Sequence, residues 1–186
     1  MLKYVTNMIY KFNKATLDLI KQFESLHDGD LTKIGLQPKM CPAGIWTEGY
    51  GRAMIDPRTK GHLRGISNRE MSLKLQVIHT EEEATKALNE DLTRLAYKPT
   101  LAILDGDNWV RLTDNQQGAL CSFVYNCGVG RPQYKIFDNV IKWLNNKMSD
   151  TALMSYWQKS VITSGGKELP GLVRRRRAES LLFFQA

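Results

Sequence analysis

Residues 24–51 read ESLHDGDLTKIGLQPKMCPAGIWTEGYG, and this stretch says more than any other about the fold and the chemistry of the chain. It places a carboxylate, Glu24, at the end of a helical pattern. A thiol, Cys41, and a hydroxyl, Thr47, follow with five residues between them, before a Gly-Tyr-Gly turn. A carboxylic acid that faces a second acidic group is the equipment that breaks a glycosidic bond. The stretch therefore raises the hypothesis of a glycoside hydrolase.

The composition indicates a folded, positively charged protein. The chain has 186 residues, of which 42% are hydrophobic and 24% are charged, and this suits one domain or one domain with two lobes. Its net charge of +7 favours an anionic partner, such as nucleic acid, acidic lipid or an acidic cell-wall polymer. Three cysteines are too few for a disulfide scaffold, and Cys121 and Cys127 are too far apart along one predicted helix to be joined. We therefore expect reduced thiols.

The sequence carries no sign of membrane insertion or export. It contains no apolar run of about 20 residues, the length that spans a bilayer. The opening residues MLKYVTNMIYKFNK have neither a continuous apolar segment nor a small-residue cleavage site. We expect the protein to accumulate in the cytosol.

Helical periodicity surrounds a loop-rich region. Residues 13–26 predict a first helix with Asn13 as its N-cap. Residues 27–79 predict a small lobe of loops, with a short hairpin around Ile45 to Met54 and a short helix within residues 67–78. Residues 80–186 predict a helical lobe, whose helix signals are capping boxes at Thr80 and Thr113, a helical run from Ile136 to Asn145, a cap at Ser149 and a last helix from Pro170 to about Phe184. The predicted fold class is α+β, mainly α, with a cleft between two lobes for an extended substrate.

Four blocks of sequence carry a resemblance to a known family. They are CPAGIWTEGYG (41–51), TEEEA (80–84) with Asp91-Leu92, LTDNQQGAL (112–120) followed by SFVYNCGVG (122–130), and GGKELPGLVRR (165–175) with Ala178-Glu179 and Leu182-Phe183. In this order they resemble the phage-type lysozymes, glycoside hydrolase family 24, and especially the endolysins of lambdoid-like phages. The resemblance implies a lysozyme-like two-lobed fold. It also implies a muramidase that hydrolyses the β-1,4 bond between N-acetylmuramic acid and N-acetylglucosamine in peptidoglycan, for host lysis.

The resemblance assigns three catalytic positions. The family's pattern of Glu, then Asp or Cys, then Thr makes Glu24 the acid, Cys41 the second group and Thr47 the residue that positions water. The gap between Cys41 and Thr47 matches the family, whereas the sixteen residues between Glu24 and Cys41 are more than the family has. Because loops accept insertions at little cost, we expect the extra residues within 25–40 to form a bulged loop.

The second catalytic position has open alternatives. An ordinary thiol is mostly neutral at pH 7, so Cys41 would hold a water but do little for developing positive charge. A thiolate would do both, and Arg52, which stands where the family usually has His, or Lys39 would favour that form. Asp28 and Asp30, in the lengthened gap, are rival carboxylates.

The resemblance also implies substrate contacts in both lobes. Gly49, Tyr50 and Gly51 are expected to shape the turn under the sugar. Tyr125 and Asn126 lie where the family's large lobe touches substrate, although Asn126 before Gly128 is also an ordinary helix-stop signal.

Cofactors and other partners are expected to be absent. The three histidines lack metal-ligand spacing and the chain has no Gly-rich phosphate loop, so we predict no metal or nucleotide.

The basic run Arg174–Arg177 is either a solvated helix face or a surface attracted to the anionic wall, and no nucleic-acid motif accompanies it. We expect a monomer that reaches peptidoglycan through a holin-like membrane lesion. A lytic transglycosylase and a non-catalytic wall-binding protein of the same fold are the alternative functions.

Overall fold

The computed structural model describes residues 8–129 and 135–185. Helices dominate these residues and the sheets are small and antiparallel, which confirms an α+β, mainly α, fold. Contacts divide the chain into a smaller compact unit, residues 21–91, and a larger one formed by the residues before 21 and after 91. In the described part of the chain, no helix combines the length and the apolar character needed to cross a membrane.

The elements follow one another in a simple order. The helices are α1 (Lys14–Glu24), α2 (Arg69–Leu75), α3 (Glu81–Leu92), α4 (Lys98–Trp109), α5 (Asp114–Cys127), α6 (Lys135–Leu144), α7 (Asp150–Gln158) and α8 (Pro170–Phe184). One sheet contains β1 (Lys39–Met40), β2 (Trp46–Glu48) and β3 (Arg52–Ala53), and a separate hairpin contains β4 (Thr163–Ser164) and β5 (Lys167–Glu168).

The predicted helix starts are confirmed by their capping hydrogen bonds. Asn13 Oδ1 accepts a hydrogen bond from the backbone N–H of Thr16 at 2.9 Å, which caps α1. The box before α3 is complete, because Thr80 Oγ1 accepts from the N–H of Glu83 and the Glu83 carboxylate accepts from that of Thr80. Equivalent caps at Thr113 and Ser149 begin α5 and α7. Local sequence is sufficient for these starts, since each cap lies within three residues of its partner.

The small unit is built on the three-stranded sheet. The predicted hairpin around Ile45 to Met54 is present as β2 and β3, whereas β1 was not predicted. Trp46 is the centre of an apolar cluster whose other members are Met40, Met54, Leu63, Met71 and Leu75. The indole N–H of Trp46 donates to the carbonyl of Gly65 at 2.8 Å, so its polar edge is satisfied as well. This cluster covers one face of the sheet and leaves the face of Thr47 for other contacts, because neighbouring strand residues point to opposite faces.

The large unit contains a buried charge cluster, which corrects one interpretation of the basic run. Arg175 and Arg176 are buried on α8, and each pairs with the fully buried Glu179 at 3.2 Å. Two further groups donate hydrogen bonds to the same carboxylate. They are Ser122 Oγ, at 2.8 Å, and the indole N–H of Trp157, at 3.3 Å. A solvated face therefore describes only Arg174 and Arg177, which are exposed. Since α8 packs on α5, the two inner arginines belong to the interior of the large unit.

One helix of the large unit was not predicted. The helix α4 was not predicted because it contains Pro99 and Gly106 and has a non-helical Asp105 at φ 62°. Its buried residues Leu104 and Trp109 show that tertiary packing stabilises it in spite of these residues. The three cysteines, Cys41, Cys121 and Cys127, are free, as expected.

Candidate active site

The lengthened segment after Glu24 closes on itself. Glu24 is the last residue of α1, and Ser25 follows in the left-handed region at φ 58°. The N–H of His27 then donates to the carbonyl of Gly49 at 2.7 Å, so the chain leaving α1 is tied to the turn after β2. Gly29 donates to Gln37 across the loop at 3.0 Å, which returns the chain to β1. The predicted bulged loop is confirmed.

Gly29 is required at the neck of this loop. A Cβ atom at this position would lie 2.1 Å from the carbonyl oxygen of Pro38, which is far inside the van der Waals contact distance of two non-bonded atoms. The chain segments that enter and leave the loop are therefore in direct backbone contact at Gly29 and Pro38.

The two rival carboxylates hold the loop in shape. Asp28 Oδ1 accepts hydrogen bonds from the N–H groups of Asp30 and Gln37, at 3.1 and 3.2 Å. Asp30 accepts from both the N–H and the hydroxyl of Thr32, and these bonds lower the pKa of its carboxyl. It also lies 3.9 Å from the guanidinium group of Arg69. Both carboxylates are thus engaged in loop contacts, which gives them a structural explanation.

Thr47 lies at the centre of a compact polar group. It is buried on β2, and its hydroxyl donates to the carbonyl oxygen of Lys39 at 2.9 Å. Nδ1 of His27 lies 2.6 Å from the same hydroxyl oxygen. Burial lowers the pKa of His27, the Lys39 ammonium lowers it further, and the Glu24 carboxylate opposes both. Thr47 therefore joins the Lys39 carbonyl and the His27 ring in one hydrogen-bonded group.

His27 was not among the predicted site residues. Sequence alone offered one weak signal, a histidine three residues after the proposed acid. Its contact with Thr47 joins residues 20 positions apart, and such a contact has no local sequence pattern.

Cys41 begins the turn between β1 and β2. Its N–H donates to the carbonyl of Ile45 and its own carbonyl accepts from Gly44, both at 2.8 Å. Lys39 is paired with Thr47 across the sheet, so their side chains share one face. Cys41 follows the last residue of β1 directly and is half-buried.

The side chain of Arg52 binds polar groups on α3. Its Nε lies 2.8 Å from the Asp91 carboxylate, and its Nη2 lies 3.2 Å from that of Glu90 and 2.6 Å from the carbonyl oxygen of Ala87. Two carboxylates thus take up the guanidinium charge. The expectation that Arg52 favours a thiolate at Cys41 has no support in these contacts, whereas Lys39 does share the face of Thr47.

Gly49, Tyr50 and Gly51 form the turn between β2 and β3. Gly49 and Gly51 have φ values of 57° and 88°, and a Cβ at Gly49 would lie 3.2 Å from that of Ala84 on α3. Tyr50 is buried, and its hydroxyl donates to the Glu81 carboxylate at 3.0 Å. The predicted turn is confirmed, and its contact with a sugar remains a prediction.

Tyr125 and Asn126 lie in the last turn of α5, within the large unit. The helix ends at Gly128 with φ 71°, which confirms the helix-stop signal. The side-chain oxygen of Asn126 accepts a hydrogen bond from Arg176. The structure therefore gives Asn126 an anchoring contact, and a substrate role for the two residues remains a prediction.

Comparisons with known proteins find relatives that match most of the chain. The sequence model described as phage lysozyme matches residues 31–179, a range that begins after Glu24. An endolysin of Acyrthosiphon pisum secondary endosymbiont phage 1 is 30% identical over 172 residues, which cover 91% of this chain and 95% of that protein. An endolysin of Bacillus phage PZA is 32% identical over 93% of this chain, which spans only 55% of that longer protein.

Two solved structures share the fold. The endolysin from Escherichia coli O157:H7 phage FAHEc1 superposes with a TM-score of 0.58 at 23% identity, covering 94% of both chains. The active form of the P1 phage endolysin Lyz gives a TM-score of 0.56 at 21% identity, covering 92% of this chain and 83% of that one.

Proposed function

The chain belongs to the phage lysozyme family, and on that premise we propose that it is an endolysin-like muramidase. It hydrolyses the β-1,4 bond between N-acetylmuramic acid and N-acetylglucosamine in bacterial peptidoglycan, and so lyses the host. The observation that carries this proposal is the polar group of the small unit. There, the buried hydroxyl of Thr47 contacts the Lys39 carbonyl and the ring of His27, a residue that follows Glu24 by three positions at the end of α1. A glycosidase needs such a carboxylic acid beside a place for water.

Each of the three assigned residues has a defined task in this proposal. Glu24 donates its proton to the leaving glycosidic oxygen as the bond breaks. Thr47 donates its hydroxyl hydrogen to the Lys39 carbonyl and accepts a hydrogen bond from Nδ1–H of His27, so its second lone pair accepts a hydrogen bond from the attacking water. Cys41, at the second catalytic position, holds the same water.

The route to the substrate is part of the same proposal. The net charge of +7 supports attraction to an anionic cell-wall polymer. We expect the protein to act as a monomer that reaches the wall through a holin-like membrane lesion.

Turbidity clearing of purified cell walls tests the acid. Glu24→Gln removes the transferable proton and keeps the size of the side chain, so we expect clearing to slow by about 10²–10⁴-fold. Glu82→Gln, at an exposed position in the first turn of α3, is the matched control and should clear at the parental rate. Clearing by Glu24→Gln at the parental rate would show that another group is the acid.

The released fragments test the reaction itself. Mass spectrometry should find reducing ends that contain the oxygen of water. Anhydro ends would show that the enzyme is a lytic transglycosylase and not a hydrolase. A parental protein that binds cell walls without clearing them would be a non-catalytic binding protein.

Substitutions at Cys41 test the second group. Cys41→Asp is expected to keep activity, since it introduces the carboxylate that the family also uses. Asp28→Asn and Asp30→Asn are expected to lower stability and to spare catalysis, because both carboxylates bind the loop backbone. Loss of clearing by either variant at full folding would instead make that carboxylate the second catalytic group.

A further inference from the structure

We propose that the small unit docks on an anionic lipid bilayer through the tip of its lengthened loop and the neighbouring surface of α2. This inference goes beyond the proposed function and does not depend on it. At the tip, the side chain of Leu31 is 87% exposed and that of Ile34 is fully exposed. Exposed apolar side chains that lie close together, unlike single ones, mark a surface that meets a partner.

The tip is a fixed turn. The carbonyl of Asp30 accepts a hydrogen bond from the N–H of Lys33 at 3.1 Å, and its carboxylate accepts one from the N–H of Thr32 at 3.2 Å. Such a turn favours Asp at its first position and makes no demand for an apolar residue at its second, where Leu31 stands. The hydrogen bonds of the turn therefore hold Leu31 and Ile34 in water without explaining why they are apolar.

The helix α2 and the turn before it continue this surface. One cavity of about 240 Å³ is lined by Lys33 of the loop and, opposite it, by Ile66, Arg69 and Leu73. Ile66 and Leu73 are exposed as well. Together with the tip, four exposed apolar side chains thus accompany two cations on one surface of the small unit.

This surface is basic. One oxygen of the Asp30 carboxylate lies 3.7 Å from Lys33 Nζ and 3.9 Å from Arg69 Nη2, so a single carboxylate stands between two cations. Both distances exceed the roughly 3.2 Å limit of a hydrogen bond, which leaves the N–H groups of both cations able to bind phosphate oxygens. Such cations draw a protein to an anionic membrane surface. Segments 30–39 and 64–75 carry more cations (Lys33, Lys39, Arg64, Arg69 and Lys74) than carboxylates (Asp30 and Glu70).

A bilayer suits both parts of this surface. Its phosphate groups pair with the cations, while the layer beneath them takes up the apolar side chains. A glycan chain or a nucleic acid offers anionic groups but no comparable apolar layer for Leu31 and Ile34. The sheet also separates docking from catalysis, because Trp46, which lines the cavity, points away from the face of Thr47. A membrane on the cavity side therefore leaves the polar group around Thr47 open.

Flotation of the full chain with large unilamellar vesicles tests the apolar tip. We expect binding to phosphatidylcholine vesicles that contain phosphatidylglycerol, and much weaker binding to phosphatidylcholine alone. Leu31→Ser combined with Ile34→Ser should weaken the binding by about 10–100-fold, because each apolar side chain that leaves water contributes about tenfold. Val110→Ser combined with Leu181→Ser, at two exposed apolar positions of the large unit, is the matched control and should bind as the parent does.

The cations are tested in the same assay. Lys33→Gln combined with Arg69→Gln should weaken binding to the anionic vesicles by about tenfold or more, because each cation near such a surface contributes about fivefold. Added salt should weaken the binding of the parent in the same direction. Binding that is insensitive to both changes would contradict an electrostatic attraction to lipid phosphate.

A tryptophan at the tip reports whether it enters the bilayer. The extra emission of Ile34→Trp should shift to the blue on anionic vesicles and be quenched by lipids with brominated acyl chains. The extra emission of Val110→Trp should change in neither respect. An Ile34→Trp signal that vesicles leave unchanged would show that the tip stays in water.

The outcomes separate this inference from the proposed function. A parent that floats with no vesicle, or a Leu31→Ser and Ile34→Ser protein that binds as the parent does, would overturn the docking. The same double variant should clear purified, lipid-free walls at the parental rate, and slower clearing would assign the surface to the wall instead. A parent that docks on anionic vesicles but never clears walls would remove the muramidase proposal and leave the docking intact.

Discussion

Gly118→Ala should destabilise the protein, although alanine is the better helix former. Gly118 lies inside α5 and faces Thr16 of α1, and both residues belong to the large unit. A Cβ atom added to Gly118 would lie 1.8 Å from Thr16 Oγ1, 2.8 Å from its Cβ and 2.9 Å from its Cγ2. Rotating the threonine side chain moves Oγ1 and Cγ2 but not Cβ, whose place is set by the backbone. The two helices would therefore have to separate.

The size of the effect follows from two opposing contributions. The distance to Thr16 Cβ falls short of an ordinary carbon–carbon contact of about 3.5 Å by about 0.7 Å. Overpacking in a core costs about 1–3 kcal/mol, and complete burial of Thr16 argues for the upper end. Replacing glycine in a helix interior returns about 1 kcal/mol. We expect a net loss of about 2 kcal/mol, which lowers Tm by about 4–8 °C in a chain of this length.

Urea and thermal unfolding, followed by circular dichroism, measure this loss. Gly171→Ala in α8 is the matched control, because a Cβ there meets nothing within 4 Å, and it should be neutral or slightly stabilising. No hydrogen bond complicates the comparison, since Thr16 Oγ1 has no partner among the residues that the structure describes. A Gly118→Ala protein as stable as the parent, or more stable, would refute the close approach of α1 and α5.

Two further predictions concern charged groups of the small unit. Arg52→Met should lower the free energy of unfolding by about 2 kcal/mol, because it removes the guanidinium nitrogen that lies 2.8 Å from the mostly buried Asp91 carboxylate. In a double-mutant cycle of urea titrations, Arg52→Met combined with Asp91→Asn should cost less than the two single changes together, and strict additivity would contradict the ion pair. Hydrogen bonds from Arg58 lower the pKa of Asp56 to about 2, so the stability that they contribute is complete above about pH 4 and is lost as the pH falls through about 2. The difference in urea midpoint between the parent and Asp56→Asn should therefore shrink over that interval, and a difference that stays constant would exclude this linkage.

The helical framework of the chain was predictable because its signals are local. Asn13, Thr80, Thr113 and Ser149 each cap a helix through a backbone group three residues away. The one helix that was missed, α4, has Pro99 and Gly106 inside it and depends on the burial of Leu104 and Trp109. Where local preference and tertiary packing disagree, a sequence pattern reports only the first.

The candidate site divides in the same way. Motif spacing proposes Cys41 and Thr47 directly, whereas Glu24 is proposed only across the lengthened loop, and the catalytic roles of all three remain predictions. Arg52 was assigned a role beside Cys41 that its contacts with α3 do not support. His27 was not predicted, since no sequence pattern within a few residues of it indicates the contact with Thr47.

The sequence by itself determined the helix starts, the turn glycines and the family, since each of these depends on neighbouring residues or on the order of motifs along the chain. Tertiary structure alone decided where Asp28, His27 and Arg175 direct their polar groups. Asp28 binds the loop backbone, His27 binds Thr47, and Arg175 binds Glu179 in the core. The physical reason is that a polar side chain binds the group that the folded chain brings within about 3 Å of it. For His27 that group belongs to Thr47, 20 residues away in the sequence.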